Sequence, residues 1–325
     1  MPGTTATACA NIAFIKYWGN RPGGDNLPLN PSISMTMSGC VSTTALSLLR
    51  GGGDEIILGG APADPKARER TTRYLDRIRQ LAGRSEHVRV DSSNSFPTGC
   101  GIASSASGFA ALATAAAAAY GIRADARELS RLARLGSGSA ARSLFGGFVE
   151  LRPGRRHEES YAEQIAPESS WPDLRDLVVI LSHDEKKVSS AEGHRFADTS
   201  EMFAGRLAAI SDRAARVRRA ILDRDLTALG EASEADALSM HAVMMTSRPP
   251  LLYWTPRTVG VISAVWEMRR RGLGAWFTID AGPNVHILTL AKDLPAVEAA
   301  IRQEFNVPTL SCAPGPGARL VEGPA

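Results

Sequence analysis

The chain has 325 residues, of which 44% are hydrophobic and 22% charged, and its formal net charge is +3. This length provides ample core for one large domain or two lobes, and the nearly balanced charge argues against nucleic acid or a membrane surface as a partner. The four cysteines are scattered without metal-binding spacing, and we find neither a leader segment nor a membrane-length apolar run, so we expect a reduced, cytoplasmic chain.

The N-terminal third predicts strands followed by a helix. Residues 6–18 are apolar on both faces, which is typical of a buried strand, and this strand ends at Lys16. A lysine at the end of a buried strand either meets an anion or snorkels to solvent, and both alternatives are open. Residues 65–83 predict an amphipathic helix whose arginine-rich face is interpreted as solvated surface.

A Gly- and Ser-rich stretch at 91–108 ends a strand and opens an Ala-rich helix. Gly99 and Gly101 permit positive φ and close approach to a ligand, while Ser104 and Ser105 place hydroxyls at the start of the helix. The free N–H groups and dipole of a helix start favour phosphate, so the stretch is either a phosphate-binding loop or an ordinary Ser-capped helix. It lacks the Gly-Lys-Ser/Thr sequence of a P-loop.

Two further positions carry candidate chemistry. Arg142 follows a second Gly/Ser turn, where its planar guanidinium suits a phosphate or carboxylate; a helix cap with a surface arginine is the alternative. Asp280 lies at the bend of a predicted hairpin between apolar strands. Such an aspartate either bonds to its own turn or acts in chemistry.

The second half predicts a buried strand at 174–182, helices at 195–239 and 256–271, and a closing helix at 293–305. Together with the first half, this pattern indicates an α+β fold with a cleft between two lobes. We place the N-terminal lobe at 1–173 and the C-terminal lobe at 174–325.

Four stretches, in this order, resemble the mevalonate diphosphate decarboxylases of the GHMP kinase superfamily. They are NIAFIKYWGN (11–20), SFPTGCGIASSASGFA (95–110), GSGSAARSLFGGFVE (136–150) and FTIDAGPNVHIL (277–288). The resemblance extends over nearly the whole chain and implies the two-lobed GHMP fold, ATP with Mg²⁺, and a homodimer.

The resemblance also implies roles for individual residues. The family phosphorylates the tertiary C3 hydroxyl of a phosphorylated mevalonate with ATP, and loss of phosphate and CO₂ then forms an alkene. The implied catalytic residues are Asp280 as base, Arg142 as the cation for the substrate carboxylate, and Lys16. The implied substrate-binding residues are Asn11, Tyr17, Asn20, Ser137, Ser139, Arg142 and His194.

The nucleotide is expected at the first Gly/Ser stretch. The implied ATP-binding residues are Ser92, Asn94, Pro97, Gly99, Gly101, Ser104 and Ser105. No metal ligand is assigned, and Ser105 is the candidate neighbour of Mg²⁺.

Departures from the family pattern bear on the substrate. Asn20 stands where the diphosphate enzymes typically have a second lysine, Ala191 and Glu192 replace a basic residue of some members, and His194 replaces the usual methionine. Because fewer cations should weaken the binding of a diphosphate, we predict mevalonate 5-phosphate as the substrate and isopentenyl phosphate as the product. Arg21 could replace the missing lysine, which keeps the diphosphate as the alternative. A mevalonate 3-kinase and a non-catalytic ligand sensor are further alternatives.

Overall fold

Two β-sheets with helices packed on them organise the chain. The computed structural model describes residues 3–23, 25–96, 104–182 and 188–321. Within these ranges the first sheet has eight strands and the second has four. The predicted α+β class is confirmed.

The strands of the first sheet come mostly from the N-terminal half. They are β1 (Thr4–Ile15), β2 (Ser32–Leu48), β3 (Glu55–Leu58), β4 (Ala61–Pro62), β5 (Val88–Asn94), β6 (Phe148–Leu151), β7 (Ala162–Ala166) and, from the end of the chain, β12 (Arg319–Val321). The second sheet contains β8 (Leu174–Val179), β9 (Trp276–Thr278), β10 (Val285–Leu290) and β11 (Thr309–Cys312). The strand order is β12-β1-β2-β5-β3-β4 in the first sheet, where β6 also pairs with β2 and β7, and β11-β8-β10-β9 in the second. The chain thus returns to the first sheet at its end, because β12 pairs with β1.

Helices cover both sheets. They are α1 (Pro65–Ala82), α2 (Ser104–Ala119), α3 (Ala126–Gly136), α4 (Ser190–Gly193), α5 (Phe203–Asp223), α6 (Leu226–Thr246), α7 (Pro256–Arg270) and α8 (Leu294–Phe305). A 3₁₀ segment, Gly138–Leu144, follows α3. The described helices include none that is long and apolar enough to span a membrane.

The local signals explain most element boundaries. Asp125 caps α3 through a capping box with Glu128, as its position before the helix predicts. The small side chains of α2 allow it to bury nearly all of its length against β1 and β2. Ser92 and Asn94, two of the implied ATP-binding residues, belong to β5 (Val88–Asn94).

A buried ion pair holds the end of β1 against α5 and α6. The Asp236 carboxylate on α6 accepts the backbone N–H of Lys16 at 2.7 Å. Arg206 on α5 donates to that carboxylate at 3.0 Å and to the carbonyl oxygen of Lys16 at 3.1 Å. Both side chains of the pair are 0% exposed. One ion pair therefore holds both backbone polar groups of the residue that joins β1 to the cleft.

Asp236→Asn should destabilise the fold strongly. The substitution leaves the buried Arg206 guanidinium without its counter-charge, and removing one partner of a buried pair costs about 3–5 kcal/mol. We expect a clear fall in the urea midpoint of unfolding.

Glu231→Gln on the same helix is the matched control. Its carboxylate is 53% exposed and 3.8 Å from Arg216, so its loss should cost under about 1 kcal/mol. Equal midpoints for the two variants would show that the buried pair does not hold the strand end.

Candidate active site

A cavity of about 580 Å³ lies between the two halves of the chain. Its walls combine β1 and the Gly138–Leu144 segment with the Ser189–His194 segment, α6 and the β9–β10 connection. Ten of the sequence-predicted residues line it together: Asn11, Lys16, Tyr17, Ser104, Ser105, Ser137, Ser139, Arg142, His194 and Asp280. Residues from four separated motifs are therefore brought to one place.

Lys16 and Asp280 form an ion pair across the cavity wall. The Nζ atom of Lys16 lies 2.6 Å from Oδ1 of Asp280, and their side chains are 2% and 25% exposed. Lys16 also donates to the carbonyl oxygen of Ala13 at 2.7 Å. Burial lowers the pKa of Lys16, and the nearby Asp280 carboxylate opposes that shift. Lys16 therefore meets an anion, Asp280, and does not snorkel to solvent.

Arg142 is a buried cation held by neutral oxygens. Its Nε, Nη1 and Nη2 atoms donate to Ser34 Oγ at 2.9 Å, Ser32 Oγ at 2.5 Å and Asn11 Oδ1 at 3.0 Å. Burial lowers its pKa to about 10. Within the described ranges, no carboxylate forms an ion pair with this guanidinium. The cavity thus contains a fixed positive charge suited to an incoming anion.

Serine hydroxyls connect Arg142's segment to the start of α2. The Oγ atoms of Ser137 and Ser139 lie 3.2 Å apart, and those of Ser137 and Ser105 lie 3.4 Å apart. Ser104 and Ser105 form the first turn of α2, a helix of 16 residues, so its positive end faces the cavity. The interpretation as an anion site is supported by this arrangement.

Two of the predicted ATP-binding residues, Ser92 and Asn94, are described but do not line the cavity. Ser92 and Asn94 contact β2 instead: their side chains hydrogen-bond to Thr44 and Ser42 at 2.9 and 2.5 Å. Pro97, Gly99 and Gly101 lie outside the described residues.

The side chains of Asn20 and Arg21 hydrogen-bond to other parts of the protein. The Tyr17 hydroxyl donates to Oδ1 of Asn20, and Asn20 is not among the residues that line the cavity. Arg21 donates through Nε to the carbonyl oxygen of Gly154 at 2.9 Å, so it does not replace the missing lysine. Gly19, which precedes both residues, has a φ of +97°, a backbone conformation that favours glycine.

His241 hydrogen-bonds to the backbone of Asp280. Its Nε2 lies 3.2 Å from the carbonyl oxygen of Asp280, to which it donates, and its ring packs 4.8 Å from that of Trp254. Burial lowers the pKa of His241 to about 3, so the ring is neutral at ordinary pH.

Sequence reasoning missed two charged residues of the cavity wall. Lys66 and Arg70 lie one turn apart on α1; both are exposed, as expected for the solvated face of this helix, and both also line the cavity. Arg70 also donates to the carbonyl oxygen of Gly136 at 2.8 Å and stacks over Phe109 at 4.6 Å. Because Lys66 and Arg70 are four residues apart, the sequence predicts that they share one face of α1. It does not predict that this face borders a cavity.

Comparisons with known proteins agree over both halves of the chain. Residues 8–162 match a family model described as "Diphosphomevalonate decarboxylase-like N-terminal domain", and residues 176–313 match one described as "Mevalonate 5-diphosphate decarboxylase C-terminal domain". A diphosphomevalonate decarboxylase of Aspergillus fumigatus is 39% identical over 321 residues, which are 92% of this chain and 79% of that protein. The human enzyme of that name is 35% identical over 328 residues, 94% and 81% of the two chains.

Solved structures give the same result for the fold. The mevalonate diphosphate decarboxylase of Enterococcus faecalis has a TM-score of 0.93 at 36% identity and covers 99% of each chain. That of Staphylococcus aureus has a TM-score of 0.94 at 35% identity and covers 98% of each. These matches confirm the two-lobed α+β architecture. The chain belongs to the diphosphomevalonate decarboxylase family.

Proposed function

We propose that the chain decarboxylates mevalonate 5-diphosphate with ATP, forming isopentenyl diphosphate, ADP, phosphate and CO₂. The observation that carries the proposal is one cavity in which an Asp280–Lys16 pair meets a buried Arg142 that forms no ion pair of its own within the described residues. The names of the similar proteins favour the diphosphate over the monophosphate that the sequence analysis preferred.

Asp280 is the group placed to take the proton of the C3 hydroxyl. It lines the cavity and is partly exposed to it, and the adjacent Lys16 ammonium favours its charged, proton-accepting form. Lys16 is itself held through its backbone by Asp236 and Arg206, so the orientation of the pair is fixed before substrate arrives.

Arg142 is suited to hold the substrate carboxylate. Its three hydrogen bonds to Ser32, Ser34 and Asn11 orient the guanidinium without neutralising it. Loss of phosphate before CO₂ develops positive charge at C3, so a carboxylate fixed beside that carbon stabilises it. An arginine aimed at the carboxylate therefore orients the group that leaves.

The nucleotide phosphates fit the start of α2. Helix N-termini bind phosphate through free N–H groups, and the hydroxyls of Ser104 and Ser105 add donors there. Mg²⁺ prefers oxygen ligands and would be held mainly by the phosphates, with the Ser105 hydroxyl as the neighbouring protein oxygen. When bound, Mg²⁺ would neutralise part of the phosphate charge. In one solved relative, a protein called MDDEF was obtained in complex with MVAPP, AMPPCP and magnesium.

Lys66 and Arg70 supply the positive charge that Asn20 lacks. The Arg70 guanidinium lies beside Gly136, and the Tyr17 ring packs on nearby Gly138, where an added Cβ would come within 2.1 Å of it. This places Arg70 near the predicted substrate-binding serine, Ser137. Two cations at this wall suit a highly charged phosphoryl tail and support the diphosphate.

Mevalonate 5-phosphate is the second candidate, on a specific observation. Asn20 and Arg21 are both engaged elsewhere, and Ala191 lines the cavity without charge. Without the α1 cations, this part of the wall therefore has fewer positive charges than a second lysine at position 20 would give, and a single phosphate needs fewer.

Turnover with each substrate tests the proposal. The protein is incubated with ATP, Mg²⁺ and either mevalonate 5-diphosphate or mevalonate 5-phosphate, and ADP, phosphate and CO₂ are measured. We expect equal amounts of the three products, with higher kcat/KM for the diphosphate. Preference for the monophosphate would overturn the substrate assignment, and ADP without CO₂ would indicate a 3-kinase.

Asp280→Asn should lower kcat by at least about 10²-fold, since a positioned general base contributes roughly 10²–10⁴-fold. Asp212→Asn, at an exposed position of α5, is the control and should leave kcat unchanged. Matching unfolding midpoints would show that folding is not the cause. Wild-type turnover by Asp280→Asn would refute its role as base.

Lys66→Gln should raise KM for the diphosphate by about tenfold, because a hydrogen bond to a charged group contributes about 1.5–3 kcal/mol. The kcat value should change little, since the tail does not react. Arg68→Gln, on the same helix but outside the cavity wall, is the matched control. An equal KM for both variants would exclude α1 from the tail site.

A further inference from the structure

His194 occupies a defined place in the cavity wall. It follows α4 directly, and its ring packs against Tyr17 and Trp18, with centroid separations of 4.4 and 4.6 Å. The ring is partly buried and lines the cavity. Tyr17 thus has His194 on one side and the Gly138 segment, which adjoins Arg70, on another.

One hydrogen bond fixes the tautomer of this ring. The backbone N–H of Gly19 donates to Nδ1 of His194 at 2.9 Å. A ring nitrogen that accepts an N–H cannot itself carry a proton, so the hydrogen of the neutral ring lies on Nε2. Protonating Nδ1 would break this bond and bring two donors together.

The surroundings of the ring contain little to stabilise a charged form. Burial lowers the pKa of His194 to about 3. The titratable groups nearby are Tyr17 on the β1 side, whose pKa burial raises, and the exposed Glu192 and Arg195 on its own segment. In the described part of the chain, no hydrogen-bond acceptor is recorded for Nε2.

We propose that His194 is a neutral hydrogen-bond donor, through Nε2, to the phosphoryl tail of the substrate, and that it contributes to substrate specificity. This inference rests on the proposed function for the identity of the tail. A neutral donor gives direction without adding charge, so its contribution depends on where a phosphate oxygen lies and less on how many charges the tail carries. It also persists over the whole range in which an ordinary histidine titrates.

The tautomer can be measured without any turnover. Of the six histidines in the chain, the ¹⁵N signals of His194 are identified by their loss in His194→Gln. We expect an unprotonated Nδ1, a protonated Nε2 and no titration between pH 5 and 8. A titration within that range, or the opposite tautomer, would overturn the proposal.

Binding tests the donor itself. The affinities for mevalonate 5-diphosphate and mevalonate 5-phosphate are measured by calorimetry in the absence of ATP. His194→Leu should weaken binding by roughly tenfold, and His194→Gln, which retains an N–H donor, should recover part of the loss. His87→Gln, at a histidine whose side chain is 43% exposed and contacts Asp54, is the control. Equal affinities for wild type and His194→Leu would refute the contact.

The kinetic signature separates this role from a structural one. With the substrate that the enzyme turns over, His194→Leu should raise KM with kcat within about twofold, at every pH from 6 to 8. Failure of decarboxylation would refute the proposed function but would leave the tautomer and binding results to decide on His194.

Unfolding provides a further readout. Since the folded pKa lies below the usual value of 6.5, the unfolded chain binds more protons between these values, and stability falls as pH is lowered through that window. His194→Gln should therefore lose less of its urea midpoint than wild type between pH 7 and 5. An unchanged pH dependence would contradict a neutral, buried ring.

Discussion

The Asp236 carboxylate is the constraint on which the cleft depends. It belongs to α6, yet it accepts the N–H of Lys16 at the end of β1, while Arg206 and Arg213 balance its charge. Burying these charges is costly unless each is paired and hydrogen-bonded, and here nearly every polar atom has a partner. The interaction therefore does more than join two halves of the chain. It fixes the backbone from which Lys16 reaches Asp280, and so sets the geometry of the pair most suited to proton transfer.

The two buried cations of the cavity are treated differently. Lys16 has its counter-charge in Asp280, whereas Arg142 hydrogen-bonds to the neutral oxygens of Ser32, Ser34 and Asn11 and forms no ion pair in the described part of the chain. Burial depresses the pKa of both groups, and the charge of Asp280 opposes the shift in each. Burying a guanidinium that no carboxylate contacts directly is costly. A bound carboxylate relieves that cost, which gives substrate binding a favourable contribution at the position where orientation matters for CO₂ loss.

Sequence patterns predicted the elements and the reacting groups, but not the partners that position them. Periodicity located α1, α7 and α8, and the motifs identified Lys16, Arg142 and Asp280, because these features are local. Asp236 lies 220 positions from Lys16, and nothing in its own helix distinguishes it from a surface acid. The place of Arg70 in the cavity wall was missed for the same reason: an exposed basic helix face has the same residue pattern whether or not it borders a cavity. The hydrogen-bond partners of Asn20 and Arg21, which are Tyr17 and the carbonyl oxygen of Gly154, were not predicted either, because side-chain direction after a turn does not follow from residue types.

In the proposed mechanism, the pair that reacts is separate from the groups proposed to hold the phosphoryl tail. Lys16 and Asp280 lie at the end of β1 and in the β9–β10 connection, whereas Lys66 and Arg70 come from α1 and His194 from the segment after α4. Tyr17 connects them, since it follows Lys16 in the chain and packs on His194. Because the tail does not change during the reaction, its contacts bind ground state and transition state alike and affect KM more than kcat. Substrate preference can therefore vary through α1 and the His194 segment, while the buried pair that performs the chemistry, held by Asp236, stays the same.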